Sequence, residues 1–145
     1  LKRRRRPRRA PSMATSRSTS ASSRGSAYKV EKSEAEWIRL LGRERYQVLR
    51  RAGTERPNSS EYCGLQPKDG FFKCAGCDYP LYTAKSKFKS SCGWPCFDQV
   101  VFSEAGCHVG VNAHGGRFEI VCNQCGGHLG HVFYGEKCTP KNERH

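Results

Sequence analysis

Thiols, imidazoles and one tryptophan carry the reactive chemistry of this sequence. Cys74-Ala75-Gly76-Cys77 and Cys122-Asn123-Gln124-Cys125 form two C-x-x-C pairs separated by 44 residues. Four thiolates at that spacing can close a tetrahedral zinc site with no open position, so the metal would hold the fold rather than react. Gly76 and the Gly126-Gly127 pair let the backbone turn tightly toward it. A single C-x-x-C pair can equally be a redox motif, but two of them favour structural metal. Among the other five cysteines, Cys63, Cys92, Cys96, Cys107 and Cys138, only Cys92 lies in a motif that demands explanation, Ser91-Cys92-Gly93-Trp94-Pro95-Cys96-Phe97. A Trp fixed between Gly and Pro sets a large apolar ring beside a thiol, and the plainer reading is a turn with a core Trp. A further cluster, His128-Leu129-Gly130-His131-Val132-Phe133, holds two imidazoles three positions apart. In a regular strand they would face opposite sides, so a bend or bulge at Gly130 is needed to bring both to one pocket. No carboxylate or further His lies close by in sequence to complete a second metal set.

Those groups must be positioned by elements that the apolar pattern announces. Ser33 and Glu36 have the spacing of a capping box. Behind it Trp37, Leu40 and Leu41 share a helical face. Gly42 interrupts, and Glu44 to Arg51 reads as a second short helical stretch with Tyr46, Leu49 and Val48 inward, ended by Gly53. From Gly70 the pattern changes to short aromatic and β-branched segments, FFKC, CFDQVVF, CHVGVN, RFEIVCN and HLGHVFY, separated by Gly, Pro, Asn and Lys. That predicts a mainly β domain of small antiparallel sheets with a short N-terminal helical segment. About 75 residues of short strands bury a limited core, so a metal staple is physically useful.

The chain has 145 residues, enough for one modest domain, with 26 Lys and Arg, 13 Asp and Glu, and nine Cys. Ten of the basic residues and no acid lie in residues 1–29, which leaves 16 basic and 13 acidic side chains, a net of +3, for residues 30–145. The domain reading is therefore a basic Ser- and Arg-rich disordered tail over 1–29 and a folded domain over 30–145. Met13 could be the start of translation; an organelle transit peptide or a basic nuclear or RNA-binding patch are the other readings of the tail. No apolar run approaches the length of a membrane span, and the first residues lack a secretory apolar core. Thiol-rich chemistry without a secretory signal predicts an intracellular protein, cytoplasmic with plastid or mitochondrion as the alternative.

Six motifs in order give the sequence its likeness: GTERP (53–57), C-x-x-C, PLY (80–82), KF-x-S-x-CGWP (87–95), the second C-x-x-C followed by GGHLGHVF (126–133), and ERH (143–145). Together they resemble the type B methionine-R-sulfoxide reductase family, from about Glu34 to His145. The resemblance implies an enzyme that reduces methionine-R-sulfoxide in oxidised proteins to methionine, a repair of oxidative damage. It implies two small antiparallel sheets stapled by one structural zinc on Cys74, Cys77, Cys122 and Cys125. Trp94 would hold the substrate methyl group, His128 and His131 would bond the sulfoxide oxygen and help protonate it, and Arg144 would stabilise the attacking thiolate. Cys92 matches the resolving cysteine, and thioredoxin or a similar dithiol would reset a monomeric enzyme.

Three departures qualify the match. The family nucleophile is expected immediately after His145, in a C-x-N segment that this sequence does not contain. Some members carry selenocysteine there, on a codon otherwise read as stop, and the expectation is a native gene that continues with it; an arbitrary fragment boundary is the alternative. On this reading the 145-residue chain itself lacks activity. Glu136 stands displaced from the family's acidic residue after HVF, and Cys96 replaces the usual small residue after GWP. A competing reading is a zinc-ribbon module whose basic tail contacts nucleic acid, but it leaves CGWP, HLGHVF and ERH unexplained. A catalytically dead homologue is the third.

Overall fold

The computed structural model describes residues 28–145. The basic tail therefore lies outside the described residues, except for Tyr28 and Lys29. The capping box forms: Ser33 Oγ accepts from the Glu36 backbone amide at 3.3 Å, and the Ser33 amide donates to Glu36 Oε2 at 2.7 Å. It starts helix α1, Glu34–Arg51, which kinks at Gly42, where φ is +73° and ψ is 167°. No β-carbon penalises that left-handed backbone, so the kink turns a second helical stretch back toward the sheet. Glu34 ties the two stretches together, accepting from the Tyr46 hydroxyl at 2.7 Å and from Arg51 at 3.0 Å.

Trp37, Leu41 and Tyr46 are buried and Leu49 packs on the core, as the helical pattern predicts, but Leu40 is 55% exposed, and Ile38 packs on the core instead. The buried stripe before Gly42 runs through Trp37, Ile38 and Leu41, and Leu40, on the opposite side of Trp37 around the helix, falls outside it. Trp37 also receives the Arg50 guanidinium at 4.6 Å, and Arg50 donates to the Cys125 carbonyl at 2.8 Å. Helix α1 is thus fastened to the second C-x-x-C turn.

Eleven short antiparallel strands follow among the described residues: β1 Phe71–Lys73, β2 Pro80–Thr83, β3 Lys87–Phe88, β4 Cys96–Phe97, β5 Phe102–Ser103, β6 Gly106–Cys107, β7 Val109–His114, β8 Arg117–Cys122, β9 His128–His131, β10 Phe133–Tyr134 and β11 Glu143–Arg144. They form one three-stranded sheet, β7-β8-β9, and four two-stranded pairs, β1-β2, β3-β4, β5-β6 and β10-β11. Bridging contacts join the pairs: Tyr82 with Val100, and His145 with Phe97 through bonds of 2.9 and 3.2 Å. The architecture is the expected mainly β one with a single helix. The segment CFDQVVF is not one strand: its ends lie in β4 and β5, with an isolated bridge from Val100 to Tyr82 between them. Strands β2 and β3 were not singled out in sequence as strand segments.

The core gathers where these pieces meet. Phe97 stacks on Tyr82 at 4.2 Å and meets the Phe72 ring edge at 4.9 Å, while Ile120, Val109 and Val132 close it from the larger sheet. Such aromatic pairs contribute about 0.5–1.5 kcal/mol each beyond the area they bury.

Candidate functional site

The two C-x-x-C turns meet. The sulfurs of Cys74, Cys77, Cys122 and Cys125 all lie within 4.8 Å of one another. Cys74 and Cys125 are 3.7 Å apart, and Cys77 and Cys122 3.6 Å. A tetrahedral zinc with Zn–S of about 2.3 Å has sulfur–sulfur edges of about 3.8 Å, so the donor set fits such an ion. Hydrogen bonds from Cys122 and Cys125 hold the Cys74 thiol down to about 2, and the bonds with Cys125 and Cys74 push Cys122 far up. Thiolates crowded this closely repel, so all four can ionise only against a cation. Gly76 serves the turn through packing: a β-carbon there would meet the Trp37 ring at 3.2 Å and Leu49 at 3.4 Å.

A second cluster lies across the larger sheet. His128 begins β9 and His131 ends it, and between them the register with β8 slips, Val121 facing His128 but Ile120 facing Gly130. The slip sets the two imidazoles edge to face with ring centres 5.8 Å apart. Both line one open cleft of about 220 Å³ with Ala52, His114, Arg117 and Glu119. His128 donates from Nδ1 to Glu119 Oε1 at 2.6 Å, which leaves Nε2 as the free imidazole nitrogen. Sequence reading missed Glu119 as a partner. The signal was available: it alternates with Phe118 and Ile120 in a strand that had to pair with the histidine strand.

A third group surrounds Cys92. Gly93, with φ at +96°, folds the loop so that a β-carbon would lie 2.8 Å from Pro57. Its carbonyl accepts from the Asn58 amide at 2.7 Å and the Cys63 thiol at 3.4 Å. Trp94 is 37% exposed and donates from its indole to the Glu55 carbonyl at 3.0 Å, so the GTERP segment holds the ring at the surface. Trp94 is not a core residue. Burial works against ionisation of Cys92, yet bonds with Ser90, the Trp94 backbone and Cys96, together with the Arg144 charge, leave its thiol below the ordinary range.

Arg144 connects the groups. Strand β11 pairs on one side with β10, Phe133 facing Arg144, directly after His131 and Val132. His145 continues β11 and exchanges both backbone bonds with Phe97, next to Cys96. The guanidinium lies 4.3 Å from the Phe133 ring and makes a two-pronged bond to Glu136 at 2.6 and 2.9 Å. Glu136, displaced in sequence, therefore does orient Arg144. Hydrogen bonds group Cys92 with Trp94 and Cys96, and His128 lies edge to face with His131; Arg144 bears on Cys92 through its charge, from β11, which pairs with β10 next to the histidine strand.

The SelR domain family matches residues 41–145. Over 117 residues the chain is 48% identical to "Peptide methionine sulfoxide reductase B3, chloroplastic" of Oryza sativa subsp. japonica, covering 80% of this chain and 50% of that protein. It is 42% identical over 125 residues to "Peptide methionine sulfoxide reductase B5" of the same plant, 86% of this chain and 90% of the relative. To "Peptide methionine sulfoxide reductase MsrB" of Pseudomonas entomophila it is 43% identical over 106 residues, 72% of this chain and 80% of the relative. The chain spans half the length of the chloroplastic relative and most of the other two. With the motifs already found in order along the strands, these matches show that the chain belongs to the SelR domain family, the type B peptide-methionine (R)-S-oxide reductases.

Proposed function

We propose that this protein reduces methionine-R-sulfoxide in oxidised proteins, with the attacking thiol or selenol at the position after His145 and a thioredoxin-class dithiol as reductant. The observation that carries the reading is the placement of β11 between the histidine strand and the Cys92 loop. The mutual bonding of His145 and Phe97 makes them a hydrogen-bonded antiparallel pair, so the next position along that strand falls opposite Cys96. A chalcogen there stands beside Arg144, whose charge favours its anion.

The anion attacks the sulfoxide sulfur as a proton is delivered to the oxygen; the hydroxyl then passes from that sulfur to the chalcogen as the chalcogen–sulfur bond breaks, so methionine leaves and a sulfenic or selenenic acid remains. His128 and His131 are the proton-holding side chains of the cleft, with Glu119 orienting His128. Trp94 offers the exposed apolar ring for the methyl group. The Cys92 thiol condenses with the acid, releasing water and leaving a bridge that an external dithiol opens by exchange. Arg144, held by Glu136, favours the Cys92 thiolate when the bridge reopens.

One structural zinc on Cys74, Cys77, Cys122 and Cys125 holds the strands that carry the site, and supplies no reacting ligand position. The enzyme is read as a monomer. Its compartment is read as the cytoplasm, with the plastid as the alternative that two relatives' names suggest; imaging of the tagged full-length protein decides between them. No helix among the described residues is long and apolar enough to cross a membrane. Turnover of separate R and S epimers with thioredoxin tests the reading, since the proposed site acts on R alone.

A further inference from the structure

Cys96 is left without a role by the reaction as described, yet it is not an ordinary core cysteine. Its sulfur lies 3.2 Å from that of Cys92, and both thiols point to the Trp94 carbonyl at 3.4 Å. The turn Gly93-Trp94-Pro95 brings them together. Cys92 is partly exposed, whereas Cys96 is 2% exposed, behind it on β4. Among the described residues no third donor joins these two sulfurs in a metal-holding set. A pair of close thiols, one reachable and one shielded, is the arrangement of a reversible dithiol.

We propose that Cys92 and Cys96 close a disulfide within their own loop, so that Cys96 takes over the bridge from Cys92 and presents the external reductant with a Cys92–Cys96 disulfide. The step is an exchange. Cys92, once bonded to an incoming sulfur or selenium, is attacked at its sulfur by the Cys96 thiolate. The new Cys92–Cys96 bond forms, the incoming chalcogen leaves as its anion, and the Cys96 proton passes to that leaving group or to water. Two electrons have then moved from the two loop thiols to the oxidant, which is any disulfide, selenosulfide or sulfenic acid that reaches Cys92.

The electrostatics give the step its order. Burial raises the Cys96 thiol to about 11, and the hydrogen bond and charge of Cys92 add to the rise. Cys92 is therefore the first to react. When it enters a mixed disulfide its charge disappears, the opposition to ionising Cys96 weakens, and Arg144 remains beside Cys96 to favour its anion. Oxidation of the first thiol thus arms the second. The closed loop contains only three intervening residues, so the bond adds little chain-entropy stabilisation and suits a bridge that must be reopened. This relay deepens the reductase reading and rests on it only for the identity of the natural oxidant.

The test needs no sulfoxide, so its failure is distinguishable from failure of the reductase reading. The zinc-loaded full chain is reduced, exposed to glutathione disulfide, quenched by alkylation and mapped by tandem mass spectrometry. The native chain is expected to show a Cys92–Cys96 link and no lasting glutathione on Cys92. Cys96→Ser and Cys96→Ala are both expected to retain glutathione on Cys92, with zinc content and circular dichroism reporting their folding. If the native chain keeps glutathione on Cys92, or links Cys92 to any other cysteine, the relay is overturned, whatever the variants do.

Discussion

Glu119 on β8 bonds diagonally to His128 on β9, with 2.6 Å between Oε1 and Nδ1, although the register sets Glu119 opposite His131 and His128 opposite Val121. The carboxylate is partly exposed and the imidazole only 9% exposed, so the bond fixes the ring at the cleft wall and keeps its Nε2 available. In the proposed reaction Glu119 acts through His128, as a positioning residue.

Replacing it tests that role. In an active form of the enzyme, Glu119→Ala is expected to lower kcat by about tenfold or more while KM changes little, within the range that general acid catalysis contributes. Glu119→Gln, which still accepts a hydrogen bond, is expected to recover part of the loss. Nitrogen NMR of His128 reads the tautomer: Nδ1 protonated in the native protein, mixed in Glu119→Ala.

The Cys92 thiol offers a pH profile. Its pKa lies below the ordinary thiol value, so alkylation rises with pH through a midpoint lower than that of an unperturbed thiol and then levels off. Arg144→Gln removes a cation that favours the thiolate, which moves the midpoint up and slows alkylation at pH 7. The thiolate fraction falls about tenfold for each unit the pKa rises. An unchanged profile in Arg144→Gln would show that the guanidinium does not act on this sulfur.

Removing the metal should remove the fold. A strong chelator, or Cys125→Ser, is expected to abolish the cooperative thermal transition, because zinc binding to such sites supplies about 10–16 kcal/mol in peptides. Elemental analysis should find one zinc per native chain. Binding weakens as pH falls, since the thiols must lose their protons to ligate.

Gly93→Ala adds a β-carbon 2.8 Å from Pro57 at a φ of +96°. Strain and contact together are expected to cost about 1–3 kcal/mol and to shift the loop that carries Cys92 and Trp94. Chemical denaturation measures the first effect, and the alkylation rate of Cys92 the second.

What the sequence revealed followed from local rules. Ser33 and Glu36 announced the helix start, the C-x-x-C pairs announced their own meeting, and alternation around Phe118 and Ile120 announced a strand. What stayed hidden depends on distant pairing or broken period. Leu40 points outward because the stripe that the sheet covers runs through Trp37, Ile38 and Leu41, on the other side of Trp37 around the helix. Glu119 belongs to His128 only because β8 and β9 pair with a register slip. Cys96 meets Cys92 because of a turn whose backbone depends on Gly93, and the Arg144 charge bears on the two thiols because His145 pairs with Phe97, 48 positions earlier in the chain.

The most direct test of the central claim is turnover of separated R and S epimers of a methionine sulfoxide peptide with thioredoxin. It compares the 145-residue chain with the chain extended by Cys-x-Asn. The account predicts that the extended chain reduces the R epimer and not the S, and that the 145-residue chain reduces neither. Reduction of S by the extended chain, inactivity of the extended chain while folded with its zinc, or full activity of the 145-residue chain would contradict it.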